Sequence, residues 1–544
     1  MAFVRRVRTG SGATAVQIAE YVDGRQRIVK HVGSAHTEAE LGVLLQRARE
    51  LLADPAQGVL GFDVEPAPSV TPLAGAAEQP ALFEGPRPVL GGRDGPGRVL
   101  STDARVLYDV LVGVYADLGF DAIGDAVFAD LVIGRVVEPT SLLDTGRVLR
   151  DLGRRPASYA TMKRALARAG PDGGYRDQVA AACFAHAAAS GDVTLCLYDV
   201  TTLYFEAEKE DDLRKVGYSK ERRVDPQIVV GLLVDRAGFP LEIGCFEGNK
   251  AETNTILPVI RGFQARHGLA DMVVVADAGM LSAGNLRKLD EASMRFIVGS
   301  RVTKAPIDLA SHFRWHGDAF TDGQIIDTLT PRVGANAENN PALRAEPVWD
   351  PDAHPGSWRA VWAYSRARSV RDNKTLTEQE NRARAVIAGD KAARTPRFVK
   401  TNDGTRTLDQ ASLDRARRLV GLKGYVTNIP AQIMPAAEVI SSYHDLWHVE
   451  ASFRMSKTDL AARPMFHRTR DAIEAHLTIV FTALAVAREI QARTGLSIRQ
   501  VVRQLRPLRS ATIAINGTSQ TFSPDIPADQ QTILDALDRA RTTH

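Results

Sequence analysis

The stretch that decides the fold is VTLCLYDV at residues 193–200, together with a later stretch of the same kind, DMVVVADAG at residues 271–279. Each is almost continuously apolar until an aspartate near its end, Asp199 in the first and Asp277 in the second. Strands that are covered on both faces of a sheet have this composition, whereas half-exposed strands alternate apolar and polar residues. We therefore predict two central strands, each with an aspartate near its carboxyl end.

Three other short runs predict further strands of the same sheet: QIVVGLLVD at 227–235, FPLEIGCFEG at 239–248 and MRFIVGSR at 294–301. A tight AGFP turn separates the first two, so these should pair antiparallel. Two stretches with helical character, 257–268 and 283–292, precede the fourth and fifth strands. The order β-β-β-α-β-α-β predicts an α/β fold with a mixed sheet flanked by helices.

The composition is that of a globular protein, with 44% hydrophobic and 24% charged residues among 544. The length predicts several domains. The net charge of +3 does not by itself indicate a nucleic-acid partner. Three cysteines cannot form a disulfide framework, and their spacing is not that of a zinc site. Because no apolar stretch approaches membrane length and the start lacks the apolar core of a secretory signal, we expect a cytoplasmic protein without a membrane partner.

The rest of the chain changes character from block to block. Residues 2–32 predict a β-hairpin around a DG turn, followed by a helix, and residues 63–100 are crowded with Pro and Gly. Residues 102–190 have helical patterns. Strand patterns and one charged helix fall within 302–430, and residues 431–495 are strongly helical again.

The two aspartates are the first candidate site. A carboxylate at the end of a buried strand is costly unless it is paired or bound to a cation. Ligand sites gather at the carboxyl ends of strands, and Mg²⁺ prefers carboxylate oxygens. Asp199 and Asp277 therefore predict a magnesium pocket if their strands are neighbours. The alternative, that each aspartate only caps a strand-to-loop turn, stays open on the residues alone.

A helix at 441–464 supplies a third carboxylate. Tyr443, Glu450 and Lys457 are spaced by seven residues, which returns to nearly the same direction after two helical turns. We predict that Glu450 points back at the two aspartates, the alternative being a solvated glutamate. The apolar side that should pack on the sheet is formed by Leu446, Trp447, Val449 and Phe453.

The charge around this helix is positive. Residues 451–510 contain eleven Arg and Lys but four Asp and Glu, a net charge of +7. A positive field beside an acidic metal pocket suits a polyphosphate such as DNA. The alternative is a salt-bridged helix surface, but four local acids are too few to neutralise these cations. Arg454, Arg463 and Arg468 are therefore candidate DNA-binding residues.

Taken in order, these motifs resemble those of insertion-sequence transposases of the DDE class. The resemblance rests on LYDVTTLYFE at 197–206, VVVADAGML at 273–281 and YHDLWHVEASFRMSK at 443–457. Two further matches are GYSKERRVDPQIVVGLLVD at 217–235 and RPMFHRTRDAIEAHL at 463–477. The ordered set is more specific than any one of its motifs.

The chain resembles in particular the branch with a Tyr-x2-Arg-x3-Glu-x6-Lys signature. Tyr443, Glu450 and Lys457 match that spacing, whereas the signature arginine is Leu446 here. Arg454 or His448 are the candidates to replace it.

The resemblance implies an RNase H-like core interrupted by a β-rich insertion between the second aspartate and the glutamate. It implies that Asp199, Asp277 and Glu450 are the catalytic residues and the ligands of two divalent cations, Mg²⁺ or Mn²⁺. Tyr443 and Lys457 would contact DNA phosphates near the transposon end. The domains expected on this basis are an N-terminal β-hairpin plus helix module at 1–62 as a candidate binder of DNA ends, a Pro/Gly-rich linker at 63–100, a helical domain at 101–190 as a second candidate, the core at 191–301, the β-rich insertion at 302–430, the second part of the core with the catalytic-glutamate helix at 431–500, and a C-terminal tail at 501–544.

The expected reaction is two-metal phosphoryl transfer on DNA. Water first frees a 3′-OH at the end of a bacterial insertion sequence, and this hydroxyl then attacks target DNA. The expected partners are terminal inverted repeats, target DNA and a second copy of the chain on DNA, in the cytoplasm at the nucleoid. The alternatives are an RNase H-like nuclease without strand transfer and a DNA-binding derivative that has lost activity.

Overall fold

The computed structural model describes residues 2–8, 14–22, 25–35, 44–45, 48, 97–191, 193–206, 209–217, 225–269, 271–277, 282–333, 342–390, 396–402, 405–515 and 518–538. The chain forms two compact units, residues 1–88 and 89–544. Most of the predicted N-terminal helix, the DG turn and most of the Pro/Gly-rich linker lie outside the described residues.

The first unit contains an antiparallel sheet of β1 (Ala2–Arg8), β2 (Thr14–Val22) and β3 (Arg25–Ala35). Val22 pairs with Arg25, so β2 and β3 form the predicted hairpin. The buried residues of β2 are Ala15, Val16, Ile18 and Ala19. The hairpin prediction is confirmed, and β1 extends it to three strands.

The second unit begins with a strand and a set of helices, which agrees with the helical pattern of 102–190. These elements are β4 (Arg98–Asp103), α1 (Arg105–Asp117), α2 (Ala126–Val137), α3 (Leu142–Asp151), α4 (Tyr159–Arg168) and α5 (Tyr175–Ser190). The elements of the predicted mixed sheet follow as β5 (Leu195–Tyr204), β6 (Gln227–Val234), β7 (Pro240–Glu247), α6 (Ile256–His267), β8 (Val273–Ala276), α7 (Ala283–Glu291) and β9 (Arg295–Ser300).

The remaining elements are both strands and helices. They are α8 (Ala305–Asp308), α9 (Ala310–Trp315), β10 (Ile325–Pro331), β11 (Ser357–Tyr364), α10 (Arg366–Ile387), β12 (Val399–Asn402), β13 (Thr405–Leu408), α11 (Gln410–Arg418), β14 (Leu422–Thr427), α12 (Ala436–His444), α13 (Trp447–Thr458), α14 (Arg470–Thr494), α15 (Ile498–Leu505), β15 (Ser510–Ile515), β16 (Thr518–Phe522) and α16 (Ala528–Asp538).

The central sheet has the strand order β10-β11-β14-β9-β8-β5-β6-β7. Strand β8 runs parallel to β5 and to β9, and the other neighbouring pairs are antiparallel. All residues of β6 and β8 are buried, as their continuous apolar runs predict. The prediction of a mixed sheet flanked by helices is confirmed, including the antiparallel pairing of β6 with β7.

The sheet extends further than the sequence predicted. Strands β10, β11 and β14 come from 302–430, the expected β-rich insertion, yet they join the central sheet through the pairing of β14 with β9. The described part of this segment also holds four α-helices, α8 to α11, and the β12–β13 pair. This arrangement follows from burial, because consecutive residues of β11 from Ser357 to Trp362 are all buried, so that the strand needs cover on both faces.

Helix α14 lies in the core of the second unit. Its residues from Ile473 to Ala487 are all buried, and it packs on α2, α4 and β7. A helix that is apolar all round is one that is enclosed by other elements. Within the described residues, no helix combines the length and the apolar character that crossing a bilayer requires.

Candidate active site

Asp199 and Asp277 lie next to each other on neighbouring strands. Strand β5 is parallel to β8, with Tyr198 opposite Ala276, so the following residues of the two strands, Asp199 and Asp277, stand at the same level. Asp199 is half-buried and Asp277 is exposed. Strand β5 continues to Tyr204, so Asp199 is in the middle of its strand and not near its end as expected. The two aspartates come together because β8 ends at Ala276, opposite Tyr198, and Asp277 is the next residue.

The side chain of Asp199 points to the face of the sheet that α13 covers. Its neighbour Tyr198 points to the opposite face, where its hydroxyl lies 2.9 Å from Oγ1 of Thr255, the residue before α6. Because side chains alternate along a strand, Asp199 and Thr201 share the other face. There Thr201 lines a small cavity together with Lys457 of α13.

Helix α13 presents Glu450 and Lys457 along one edge. Its buried side includes Val449 and Ser452, both 0% exposed, and the Ser452 hydroxyl donates to the carbonyl of Gly238 in the β6–β7 turn at 2.8 Å. At about 100° per residue, Glu450 and Lys457 project within about 20° of each other, at the edge away from Ser452. Glu450 is exposed, whereas Lys457 is half-buried against the face that carries Asp199.

The three carboxylates are not gathered into a complete metal site. In the described part of the chain, no three His, Cys, Asp or Glu side chains are grouped so that they could hold a metal ion. The expected convergence of Asp199, Asp277 and Glu450 is therefore absent from this structure. The donor chemistry does fit divalent cations, because two carboxylates stand side by side and the third lies on the helix that covers one of them.

The helix that was predicted as one element is broken in two. Helix α12 ends at His444 and α13 begins at Trp447. Across the junction the amide of Leu446 donates to the carbonyl of Tyr443 at 3.2 Å, a bond over three residues that tightens the turn. The prediction that Tyr443 shares one helical face with Glu450 and Lys457 is wrong, because Tyr443 belongs to the preceding helix.

Tyr443 is bound to the second aspartate. Its side chain is 7% exposed, and its hydroxyl donates to Oδ1 of Asp277 at 2.6 Å. On the other side, Nζ of Lys423 in β14 lies 3.4 Å from the same hydroxyl and 4.8 Å from the centre of the ring. An ammonium group can only donate, so the phenol accepts from Lys423 and directs its own proton to Asp277. Tyr443 was predicted to contact a DNA phosphate, and in this structure its hydroxyl is engaged with Asp277 instead.

Lys423 is a residue of the site that sequence reasoning missed. Burial lowers its pKa, and the Asp277 carboxylate acts in the opposite direction. The signal that could have identified it is a lysine inside the strand sequence GLKGYVTNIP at 421–430, since lysine is seldom buried without a partner.

Replacing Tyr443 by phenylalanine is expected to lower the free energy of unfolding by about 1.5–3 kcal/mol, the range for hydrogen bonds to charged groups. Urea unfolding without metal measures it. Tyr425 is the matched control, because its hydroxyl makes a longer contact of 3.3 Å to Nε2 of His444 and none to a carboxylate among the described residues. Equal losses for Tyr443→Phe and Tyr425→Phe would contradict a special role of the bond to Asp277.

Two residues at the helix junction differ in burial. Leu446, at the position of the signature arginine, is 8% exposed, so an apolar side chain fits there. Trp447 is 58% exposed and lies against the ring of His448, with ring centres 3.7 Å apart. The expectation that Trp447 packs on the sheet is wrong, because α13 begins at this residue and turns its side chain outward.

The predicted DNA-binding arginines lie at the end of α13 and in the segment after it. Arg454 and Arg468 are exposed. Arg463 is partly buried, with its guanidinium 5.3 Å from the centre of the Tyr204 ring. Arg454 lies on the helix of Glu450, and Arg463 and Arg468 lie in the stretch that joins this helix to α14.

Most other cations of 451–510 are neutralised, contrary to expectation. Several of the acids come from distant parts of the chain: Arg493 pairs with Asp117, and Arg506 pairs with Glu138 and Asp151. The local count of acids missed these pairs because ion pairs form between elements that the fold brings together. The further pairs are Arg470 with Glu474, Arg499 with Asp459, and Arg509 with Asp151.

Comparisons with known proteins agree with the motifs. The family model described as "Transposase DDE domain" matches residues 192–486, which is more than half of the chain. No curated protein matches. The solved structures that match include a cryo-EM structure of a piggyBac transposase synaptic complex with hairpin DNA, at 9% identity over 81% of this chain and 73% of that chain. Its TM-score is 0.34, a resemblance too low to support any statement about this chain.

Proposed function

We propose that this chain, which belongs to the DDE transposase family, cuts DNA at the terminal inverted repeats of a bacterial insertion sequence and joins the freed 3′-OH ends to target DNA. The observation that carries the proposal is the register of β5 and β8, which sets Asp199 beside Asp277 under the helix that bears Glu450. Phosphoryl transfer on DNA uses metal ions held by neighbouring carboxylates, and these two carboxylates lie in the part of the chain that the family model matches.

Asp199, Asp277 and Glu450 are the proposed ligands of two divalent cations, Mg²⁺ or Mn²⁺, because their oxygens are the donors that these ions prefer. When bound, such ions stabilise charge on the phosphoryl oxygens and make water or a hydroxyl a better nucleophile. Tyr443 fixes the orientation of the Asp277 carboxylate before DNA arrives. Lys457 supplies a positive charge at the same face for the phosphate of the bound strand.

One site suffices for both chemical steps, because only the nucleophile changes between them. In the first, the attacking oxygen is that of water, and in the second it is the 3′-OH that the first step released. The proposed DNA contacts are Lys457, Arg454, Arg463 and Arg468, which lie on α13 and the segment after it. A second copy of the chain would hold the other end of the element.

The test uses DNA that flanks the coding sequence and contains short inverted repeats. We expect the wild-type chain with Mg²⁺ to cut at the repeat and to join the end to a plasmid target. Glu450→Gln should lose both activities, whereas Glu438→Gln, which changes an exposed glutamate on α12, should keep them. Cutting without joining would favour the nuclease, and specific binding without cutting would favour an inactive derivative.

A further inference from the structure

A second cavity lies apart from the three carboxylates, and we call it the cationic pocket. It encloses about 510 Å³ between α2, α3, α4, α14 and the segment 461–467 that joins α13 to α14. No carboxylate is among the described residues that line it. Its chemistry is set by Arg135, Arg463, His467 and His476, with the rings of Tyr159 and Phe466 alongside.

Arg135 brings a charge into this pocket without a counter-ion. Burial lowers the pKa of its guanidinium to about 10, and no hydrogen bond or ion pair to another described residue offsets that burial. Arg506 differs from it, because Arg506 pairs with two carboxylates, Glu138 just after α2 and Asp151 at the end of α3. Arg135 is partly buried by its accessible surface, and a charge that is held away from most of the solvent without a partner is unfavourable, so its presence points to an anion that completes it.

His476 adds a second unused polar group. It is 5% exposed, its ring is hydrogen-bonded to the carbonyl of Ala462, and its Nε2 has no partner among the described residues. Burial and then the charge of Arg135 lower its pKa well below the usual value. The ring of His467 lies 5.1 Å away. Buried polar atoms normally find partners, so an unsatisfied nitrogen in a residue that lines the cavity is a second sign of a missing partner there.

We propose that the cationic pocket binds one phosphate group of a DNA strand, with its base against the aromatic rim. The planar guanidinium of Arg135 matches the oxygens of a phosphate, and Arg463, which also lines the cavity, adds a second positive charge. Phe466 and Tyr159 are 75% and 49% exposed, and such rings stack with bases of any sequence. The volume lies within the range of nucleotide-sized ligands.

The position of the pocket links it to the proposed active site. The segment after α13 touches both cavities: Ala462 lines the one that holds Lys457, and Ala461 lines the cationic pocket. A strand whose phosphate lies at Lys457 can therefore extend along this segment. The inference rests on the proposed function only in taking DNA as the source of the phosphate.

The test measures binding without catalysis. Anisotropy of a fluorescein-labelled single-stranded oligonucleotide is recorded in EDTA at several salt concentrations. Arg135→Gln should weaken binding by about 10- to 100-fold and lower the salt slope by about one. Arg164→Gln removes an exposed arginine of α4 and should stay within about twofold of wild type. Equal affinity of Arg135→Gln and wild type would overturn the proposal.

Thermal melting of the free chain separates binding from folding. Because Arg135 lacks a counter-ion, Arg135→Gln should melt at or above the wild-type temperature, and inorganic phosphate should raise the melting temperature of the wild type but not of the variant. A variant that melts well below wild type would overturn the argument from the unpaired charge. Arg135→Lys keeps the charge, so it should keep the salt slope while losing part of the affinity.

The source of the phosphate is decided by comparing probes. We expect the oligonucleotide to bind more tightly than deoxyadenosine monophosphate, and inorganic phosphate to bind most weakly. A mononucleotide that binds as tightly as the oligonucleotide would overturn the assignment to DNA. Since no metal is present, these results stand apart from the cleavage test, and loss of cleavage alone would refute only the proposed function.

Discussion

Asp199→Asn is expected to reduce DNA cleavage by on the order of 10³-fold or more, the scale seen when a residue that touches the reacting atoms is replaced. Asparagine keeps the shape of the side chain on β5, under α13, and removes the negative charge that a divalent cation requires. The fold should persist, because Asp199 is only half-buried. Cleavage of end-containing DNA with Mg²⁺ gives the rate, and thermal melting without metal reports the fold.

The matched control is Asp271→Asn, just before β8. Its side chain is 62% exposed and pairs with Arg295, so this change removes a carboxylate near the same strand without touching the site. We expect wild-type cleavage from it. If Asp199→Asn cut DNA as fast as Asp271→Asn at the same Mg²⁺ concentration, Asp199 would not be a catalytic residue.

The central strands and their aspartates could be predicted because their signal is local. Strands β5 and β8 are continuous apolar runs that end or are interrupted at a carboxylate, and burial on both faces produces that pattern directly. The position of Asp199 beside Asp277 also follows from the sequence, once β5 and β8 are taken as parallel neighbours. The prediction was therefore correct where the residues that determine a structural feature lie within one stretch of the chain.

The remaining features depend on contacts between distant segments. Nothing in the sequence of β14 names β9 as its partner, so the extension of the sheet was missed. The break between α12 and α13 has no proline or glycine to mark it, and it exposes Trp447. The pairing of Arg506 with acids more than three hundred residues away likewise has no local sign.

The same limit applies to the contacts around Asp277. Lys423 and Tyr443 reach this aspartate from β14 and α12, and only the folded arrangement brings the three groups together. The segment between β14 and α12 therefore controls part of the candidate site, and one buried arginine holds that segment.

Arg359 of β11 is 0% exposed, and its guanidinium is hydrogen-bonded to a carboxylate and to two backbone carbonyls. Its Nε donates to Asp327 at 2.9 Å, and its Nη1 donates to the carbonyls of Ile429 at 3.1 Å and Met434 at 2.7 Å. These two carbonyls flank the turn that leads from β14 into α12. The guanidinium thus joins β10, β11 and the start of α12 in one network.

Arg359→Met is expected to lower the free energy of unfolding by about 3–5 kcal/mol, because it leaves Asp327 and two buried carbonyls without their partner. Urea unfolding gives the value, with Arg382→Met, an exposed arginine on α10, expected to change it by less than about 0.5 kcal/mol. Adding Asp327→Leu should recover part of the loss, since the unpaired carboxylate is then removed. Hydrogen exchange should quicken in α12, where Tyr443 lies. Two results would contradict the assignment of Arg359 as the anchor of this segment. One is an Arg359→Met protein that is as stable as Arg382→Met. The other is hydrogen exchange in α12 that stays as slow as in the wild type although Arg359→Met is less stable.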